Sequence, residues 1–252
     1  MTGDTSAITA REITKRYGNT VAVDGLNLDV PTGVVYGFLG PNGAGKTTTM
    51  RILTGLIEPT SGDGFVDSID CSDRGDLVDH IGLLPEEPPL YRELTGREQL
   101  HFAADLRGVP WERVEDRALD IADSLDLQAD LDRRIDGYSK GMKQKTAFIQ
   151  AVQHDPGVVF LDEPTSGLDP RAAKTLRELI VELASGDTTV FLSTHILPVV
   201  EEIADRVGVL YDGRLVSEGS PGGLAAAADE DGEADLEDAF LELTAEPERA
   251  WQ

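Results

Sequence analysis

Cysteine is almost missing from this 252-residue chain, where Cys71 stands alone. A single thiol excludes an internal disulfide and a multi-cysteine metal site, so Cys71 reads as an unpaired small residue in a reducing compartment. Long apolar runs are missing too. No stretch approaches the ~20 residues that cross a bilayer, and the opening MTGDTSAITARE has neither the basic nor the apolar region of a secretory signal, so a cytoplasmic location is expected. Lysine is scarce: Lys46, Lys140, Lys143 and Lys145 all fall in or beside the motifs below, which leaves only Lys15 and Lys174 elsewhere. Against 22 basic side chains stand 47 acidic ones, a formal net charge of −25, and that balance disfavours a nucleic-acid-binding surface. Self-repulsion on this scale weakens a compact state in dilute salt, but at about 1 M salt the screening length falls to about 3 Å. The charge therefore points to a protein from a salt-loving source, against the plainer reading of an ordinary acidic surface with an acidic tail.

What is present is a globular pattern, with 40% hydrophobic residues. From Ala7 to Val30 apolar and polar residues alternate between turn formers, which predicts two or three antiparallel strands. Val34 to Leu39 (VVYGFL) is a short apolar strand that enters a glycine-rich loop, and KTTTMRILTGLI then predicts a helix ending before Pro59. Weak strands are expected near Gly64 to Ile69 and over Ile81 to Leu84. From about Thr95 to Pro156 the pattern turns helical, with apolar positions at helical spacing in REQLHFAADLRG, WERVEDRALDIADSLDL and KGMKQKTAFIQAVQ. Beyond it strand and helix alternate through VVFLD, RAAKTLRELIVELAS, TTVFLST, ILPVVEEIADR, VGVLYDG and RLVSEG, which predicts a mainly parallel, doubly wound α/β sheet. The acidic run AAAADEDGEAD reads as a flexible linker, and LEDAFLELTA as a short amphipathic helix.

Two motifs carry chemistry. Gly40-Pro41-Asn42-Gly43-Ala44-Gly45-Lys46-Thr47 matches G-x-x-x-x-G-K-[ST] between a predicted strand and a predicted helix, the context that makes a phosphate-binding loop. The glycines let successive N–H groups face phosphates, Lys46 reaches the β and γ phosphates, and Thr47 ligates Mg²⁺. Val158 to Leu161 is a buried-strand pattern ending in Asp162 and Glu163, and strand ends of a parallel sheet converge on such a loop. Asp162 is placed to hold Mg²⁺ through its water shell, and Glu163, one residue further out, to polarise an attacking water as general base.

With these two motifs, YSKGMKQK completes an order and spacing that resembles the ABC transporter ATPase family over about residues 7 to 220. Ser139, Lys140, Gly141 and Met142 occupy the place of the family's LSGGQ signature, with Ser139 and Gly141 matching and Lys140 and Met142 replacing glycine and glutamine, as in cassettes paired with ABC-2 type permeases. The resemblance implies a P-loop NTPase (RecA-like) core with an antiparallel β-subdomain and an inserted helical subdomain at about 87–156. The ATPase domain would span 1–222 and an acidic C-terminal tail 223–252. It implies ATP bound by the loop through Thr48, Tyr17 stacked on adenine, and a signature loop that grips the γ-phosphate held by an opposite subunit. Ser166-Gly167-Leu168-Asp169 resembles the loop through which subunits sense each other, and His195 in FLSTHIL the histidine that contacts the γ-phosphate beside Glu163. Glu86, in LLPEEPPLY, stands where the family usually has a glutamine that joins core to insertion. It either keeps that coupling role, with access to Mg²⁺ or its water, or is a charged loop residue. His80, His101 and His154 have no such context and read as surface or packing residues.

The implied machine is a dimer, either a homodimer or a pairing with a second cassette. It would work at the cytoplasmic face of a membrane with a separate transmembrane permease and no nucleic acid. A soluble relative in DNA repair or translation is the rival reading, disfavoured because the chain has one cassette and no sustained heptads. A non-catalytic cassette is disfavoured by the presence of Glu163 and His195.

Overall fold

The computed structural model describes residues 6–228 and 235–244. Two sheets organise them. Strands β1 (Ser6–Tyr17), β2 (Thr20–Pro31), β4 (Ser61–Val66) and β5 (Ile69–Asp70) form an antiparallel sheet in the order β2-β1-β4-β5. The second sheet has the order β10-β9-β3-β8-β7-β6, built from β3 (Val35–Leu39), β6 (Ile81–Leu84), β7 (Val158–Asp162), β8 (Thr189–Thr194), β9 (Arg206–Tyr211) and β10 (Arg214–Gly219). All its pairings are parallel except β9 with β10, the hairpin at its edge.

The sheet's period of two decides which face each residue serves. Tyr36, Phe38, Val158, Phe160 and Phe191 point into the core shared with the antiparallel sheet and helix α1 (Lys46–Leu53). Tyr36 and Phe191 stack there with ring centroids 5.5 Å apart. Val35, Val159, Leu161, Val190 and Leu192 point the other way, toward a core built with helices α4 (Trp111–Ser124), α5 (Lys140–Val152) and α6 (Pro170–Ser185). By the same alternation Asp162 follows Val158 and Phe160 onto the α1 face. That parity brings a carboxylate at the end of β7 to the helix that leaves the phosphate loop.

Several boundaries differ from the sequence expectations. Helix α1 ends at Leu53 rather than near Pro59, because Thr54 leaves the helical path and Gly55 turns with φ 66°. In place of one weak strand over Gly64 to Ile69 there is a hairpin, turned by Asp67 and Ser68 at positive φ. Helix α2 (Arg74–His80) was not expected, since RGDLVDH buries only Leu77 and shows no helical stripe. The inserted segment holds α3 (Gly96–Leu106), α4 and α5, as its periodicity predicts, and Thr95 and Glu98 close α3 with reciprocal capping bonds.

At the C-terminal end, part of the segment read as linker is helical: α8 spans Pro221–Ala228. Residues 229–234, the centre of the acidic run, lie outside the described residues. The short helix expected from LEDAFLELTA is α9 (Leu236–Thr244), and it is packed rather than loose. Leu236 and Leu224 are buried against Leu39, Val200, Val207 and Val209, with Phe240 and Leu243 beside them. Glu201, on α7 (Leu197–Ile203), accepts a hydrogen bond from the Leu236 N–H at 3.0 Å.

Candidate active site

The C-terminal ends of β3, β8 and β7 lie level, with Leu39 paired to Thr194 and Asp162 paired to Ser193. In parallel sheets this edge is where ligands bind. A cleft of about 430 Å³ opens there, lined by Asn42, Gly43, Gly45, Lys46, Thr47 and Thr48 from the loop and α1, by Ala22, and by Glu86, Asp162, Glu163 and His195. A larger hollow of about 650 Å³ between α4, α5 and α6 contains none of the predicted site residues.

The loop is shaped by local constraints. Gly45 sits at φ 109°, and a Cβ there would collide with the carbonyl oxygen of Ala22 on β2, so only glycine lets the loop pass this close. Gly40, Pro41 and Ala44 complete the curl, with the Ala44 N–H donating to the Pro41 carbonyl at 3.1 Å. Lys46 is only 8% exposed, and its ammonium donates to the carbonyls of Gly40 at 2.6 Å and Pro41 at 3.1 Å. Burial pulls its pKa down, opposed by the negative charges of Glu163, Asp162 and Glu86. A triphosphate fits this arrangement, because it would bring a direct anionic contact to an ammonium whose hydrogen bonds go to two backbone carbonyls.

Asp162, 5% exposed, accepts a hydrogen bond from the Thr47 hydroxyl at 3.1 Å. Burial raises its pKa; the Thr47 hydrogen bond opposes the shift, and the charges of Glu86 and Glu163 add to it. A hydroxyl and a carboxylate oxygen side by side are hard donors of the kind Mg²⁺ takes together with water and phosphate oxygens. Glu86 stands on the wall between this cleft and a neighbouring hollow of about 290 Å³ that also touches Asp162 and Thr47.

Glu163 adopts φ 48°, an uncommon conformation for a residue with a side chain. Its N–H extends the β7–β8 ladder to Ser193, and its carboxylate is held from the side of β8. It accepts from the Thr194 hydroxyl at 2.9 Å and the His195 N–H at 3.0 Å, and lies 2.7 Å from His195 Nδ1. An ionised carboxylate only accepts, so Nδ1 carries the proton in this pairing, and Nε2 is left without it on a residue that lines the cleft.

The remaining predicted residues are not in this cleft. Tyr17 is half exposed at the end of β1, with the Lys15 ammonium 5.3 Å from its ring centre, and does not belong to the cleft lining. Ser139 caps α5 by accepting from the Met142 N–H at 3.2 Å, so Lys140, Gly141 and Met142 form that helix's first turn. Asp169 caps α6 through the N–H groups of Arg171 and Ala172, with Pro170 first in the helix. Ser166 accepts a hydrogen bond from Lys140, which joins these two loops to each other.

Sequence reasoning missed Ala22, Thr194 and Gln144. Ala22 and Thr194 act by tertiary placement, which no local pattern announces. Gln144 left a signal: it falls in helical phase with Ala147, Phe148 and Ala151, so it is a polar residue on the buried face of a helix. It is 2% exposed and donates to the carbonyls of Glu163 at 3.3 Å and Pro164 at 3.1 Å.

Residues 23–166 match the ABC transporter family model. The chain is 41% identical to the bacitracin transport ATP-binding protein BcrA of Bacillus licheniformis, over 84% of this chain and 69% of that one. It is 38% identical to the daunorubicin/doxorubicin resistance ATP-binding protein DrrA of Streptomyces peucetius, over 90% and 69%. The lantibiotic transport ATP-binding protein SrtF of Streptococcus pyogenes is 37% identical, over 82% and 88%. Among solved structures, an ATP-binding subunit of an ABC transporter superposes with a TM-score of 0.88 at 29% identity, covering 94% of this chain and 99% of that one. A bacterial ABC transporter cassette solved as a dimer gives 0.78 at 25% identity, covering 84% and 98%. The chain belongs to the ABC transporter family, among its ATP-binding, ATP-hydrolysing proteins.

Proposed function

We propose that this chain drives export of an antibiotic-like peptide or drug through a separate transmembrane permease, from the cytoplasmic face of the membrane. The observation that carries the enzymatic part is the convergence of Lys46, Thr47, Asp162, Glu163 and His195 on one cleft at the sheet edge. The export part rests on the relatives named for bacitracin transport, daunorubicin/doxorubicin resistance and lantibiotic transport.

In this reading the N–H groups of residues 40–48 and the Lys46 ammonium bind the β and γ phosphates, and Tyr17 stacks on adenine beyond the cleft rim. Thr47 and Asp162 hold Mg²⁺, which supplies positive charge at the phosphate oxygens. Glu163 takes a proton from the attacking water as its oxygen bonds to the γ-phosphorus and the bond to the bridging oxygen breaks. His195 holds the Glu163 carboxylate through Nδ1 and offers Nε2 to the γ-phosphate. Ser139 to Met142 lie away from their own chain's cleft, which favours action on nucleotide bound by a partner cassette. Ser166 to Asp169 then lie at the same junction. Hydrolysis removes the shared γ-phosphate and reopens the dimer, a ligand-driven shift between two states. The catalytic domain in this reading is 1–222, with its helical subdomain at 87–156.

In this reading the permease docks at Pro88 to Leu94 and the hollow beside it. That hollow, about 300 Å³, is lined by Leu56, Val78, Leu83, Pro85, Pro88 and Pro89 among others, and Leu56 and Val78 are exposed. Glu86 lines the nucleotide cleft and the hollow of about 290 Å³, and that hollow shares Thr54, Leu56, Leu83 and Pro85 with the one at Pro88 and Pro89, which supports a coupling role for this carboxylate over that of an incidental loop charge.

The test is phosphate release from Mg-ATP by the purified chain and by Glu163→Gln. The variant should bind ATP as tightly as wild type, release phosphate at least about 100-fold more slowly, and accumulate a dimer with ATP. Turnover at the wild-type rate would refute the assignment. Recovery of Glu163→Gln from host membranes with a polytopic protein would support transport, and recovery with ribosomal or repair proteins alone would overturn it.

A further inference from the structure

The first turn of α5 and the loop after β7 are fastened together at several points that the chemistry above does not use. Lys140 Nζ donates to Ser166 Oγ at 3.0 Å. To reach it, the lysine stem crosses the face of Gly167, where a Cβ would lie 2.7 Å from Lys140 Cδ and 2.8 Å from Cγ. Gly167 also has φ 75°, so both its conformation and this crossing exclude a side chain. One residue on, a Cβ at Gly141 would come 3.0 Å from the Gly167 carbonyl oxygen. Below this, Met142 and Leu168 pack on the same core, and Gln144 donates to the carbonyls of Glu163 and Pro164.

We propose that Lys140 and Gln144 are positioning residues that strap the loop Glu163–Gly167 to the first turn of α5. Glu163 is thereby held from two sides, its carboxylate by Thr194 and His195 and its backbone by Gln144. A shift of the α5 turn must move the backbone of Glu163 or break these bonds. The turn carries Ser139, which the proposed function sets against a partner's nucleotide, and the inference rests on that reading. The strap then ties the state of the partner's site to the posture of this chain's own general base. Lys140 is the adjustable part of it, because it is exposed and joins the two loops by one hydrogen bond.

The test has two arms. In the first, backbone hydrogen exchange is followed without nucleotide in wild type and Lys140→Met. The Ser166 and Leu168 N–H groups bond to the carbonyls of Glu163 and Thr165 within the strapped loop. Their exchange should quicken by about tenfold in the variant, while the core strands keep their protection. Unchanged exchange would overturn the strap whether or not the protein hydrolyses ATP.

The second arm is a double-mutant cycle of Lys140→Met and Ser166→Ala on Mg-ATP turnover. Each single variant should lower kcat by about three- to tenfold with little change in KM, and the double variant should be no slower than the worse single. Lys140→Arg, which keeps a donor, should recover part of the loss, and the Hill coefficient for ATP should fall toward one in Lys140→Met. Effects that multiply, or a rise in KM alone, would mean that Lys140 acts on the partner's phosphates directly, and the strap would be wrong. Wild-type kinetics in all variants would also overturn it. An inert wild type that still shows the exchange effect would count against the ATPase reading and leave the strap standing.

Discussion

Thr47 and Asp162 are 115 positions apart in the chain and meet through a hydrogen bond of 3.1 Å. The meeting is made in an environment that opposes the charge it needs. Burial raises the Asp162 pKa, with Glu86 and Glu163 adding repulsion, so the folded state holds this proton more tightly than the unfolded chain does. The ionised carboxylate is therefore a cost to folding at pH values above its folded pKa. The cost vanishes as pH falls below the unfolded value, where both states are protonated. Asp162→Asn keeps an acceptor for Thr47 and should raise the melting temperature at pH 7.5 by about 2–4 °C per kcal/mol relieved. The gain over wild type should shrink on acidification. Activity should be lost. A melting temperature lowered at neutral pH would contradict the assignment.

His195 is exposed, and its contribution to stability should be small. Its side chain makes one contact to Glu163, whose carboxylate keeps the Thr194 hydroxyl and the residue-195 N–H when the imidazole is removed. His195→Ala should leave the unfolding free energy within about 0.5 kcal/mol of wild type and lower kcat by about 100-fold or more with KM little changed. A variant that loses ATP binding in step with turnover would instead make His195 a binding residue.

Much of this site was legible before any coordinates because its parts are local. A phosphate loop needs only a strand end, a glycine pattern and a helix start, and all three are contiguous at residues 35–53. Asp162 and Glu163 follow from a buried strand that ends in acids. The strand period, once the structure sets its phase, explains why Asp162 and not Glu163 meets Thr47. Helix α2 was missed because Leu77 is its single buried residue, and α8 because four alanines beside an acidic run look like spacer. The bonds from Gln144 to the Glu163 loop were not legible because a buried amide is chosen by which carbonyls the fold brings to it. Tyr17 marks the reverse case, a residue whose pattern is suggestive while the cleft lining stops short of it.

His154 offers a separate check on burial. Its Nε2 lies 3.1 Å from the Ile81 carbonyl, which requires a proton on that nitrogen, and burial with the nearby Arg107 charge lowers its pKa from 6.5 to about 4. A base with a depressed folded pKa weakens the fold as pH falls, since the unfolded chain takes up the proton first. Between pH 6.5 and 4 this one group should remove on the order of 3 kcal/mol of stability. Urea unfolding at pH 7 and pH 5 should show the loss, and His154→Gln should flatten it. A native His154 that titrates near pH 6.5 by NMR would show that the site is open.

Charge makes the last prediction. With 47 acidic and 22 basic residues, stability should rise with KCl between about 0.1 and 1 M as the screening length falls from about 10 to 3 Å. Salt can also strengthen apolar burial, so the rise alone would not identify its cause. Helix α4 separates the two effects. Glu112, Asp116, Asp120 and Asp123 are exposed at three- and four-residue intervals along it, an arrangement in which like charges destabilise a helix by about 0.2–0.5 kcal/mol per pair. Asp116→Lys turns repulsion from Glu112 and Asp120 into attraction, partly offset because Arg113, three residues before it, then repels. It should stabilise the protein in dilute salt by roughly 0.5 kcal/mol and by much less at 1 M. An equal gain at both salt concentrations would assign the effect to helix propensity, and a loss in dilute salt would show that this acidic stripe is not a source of strain.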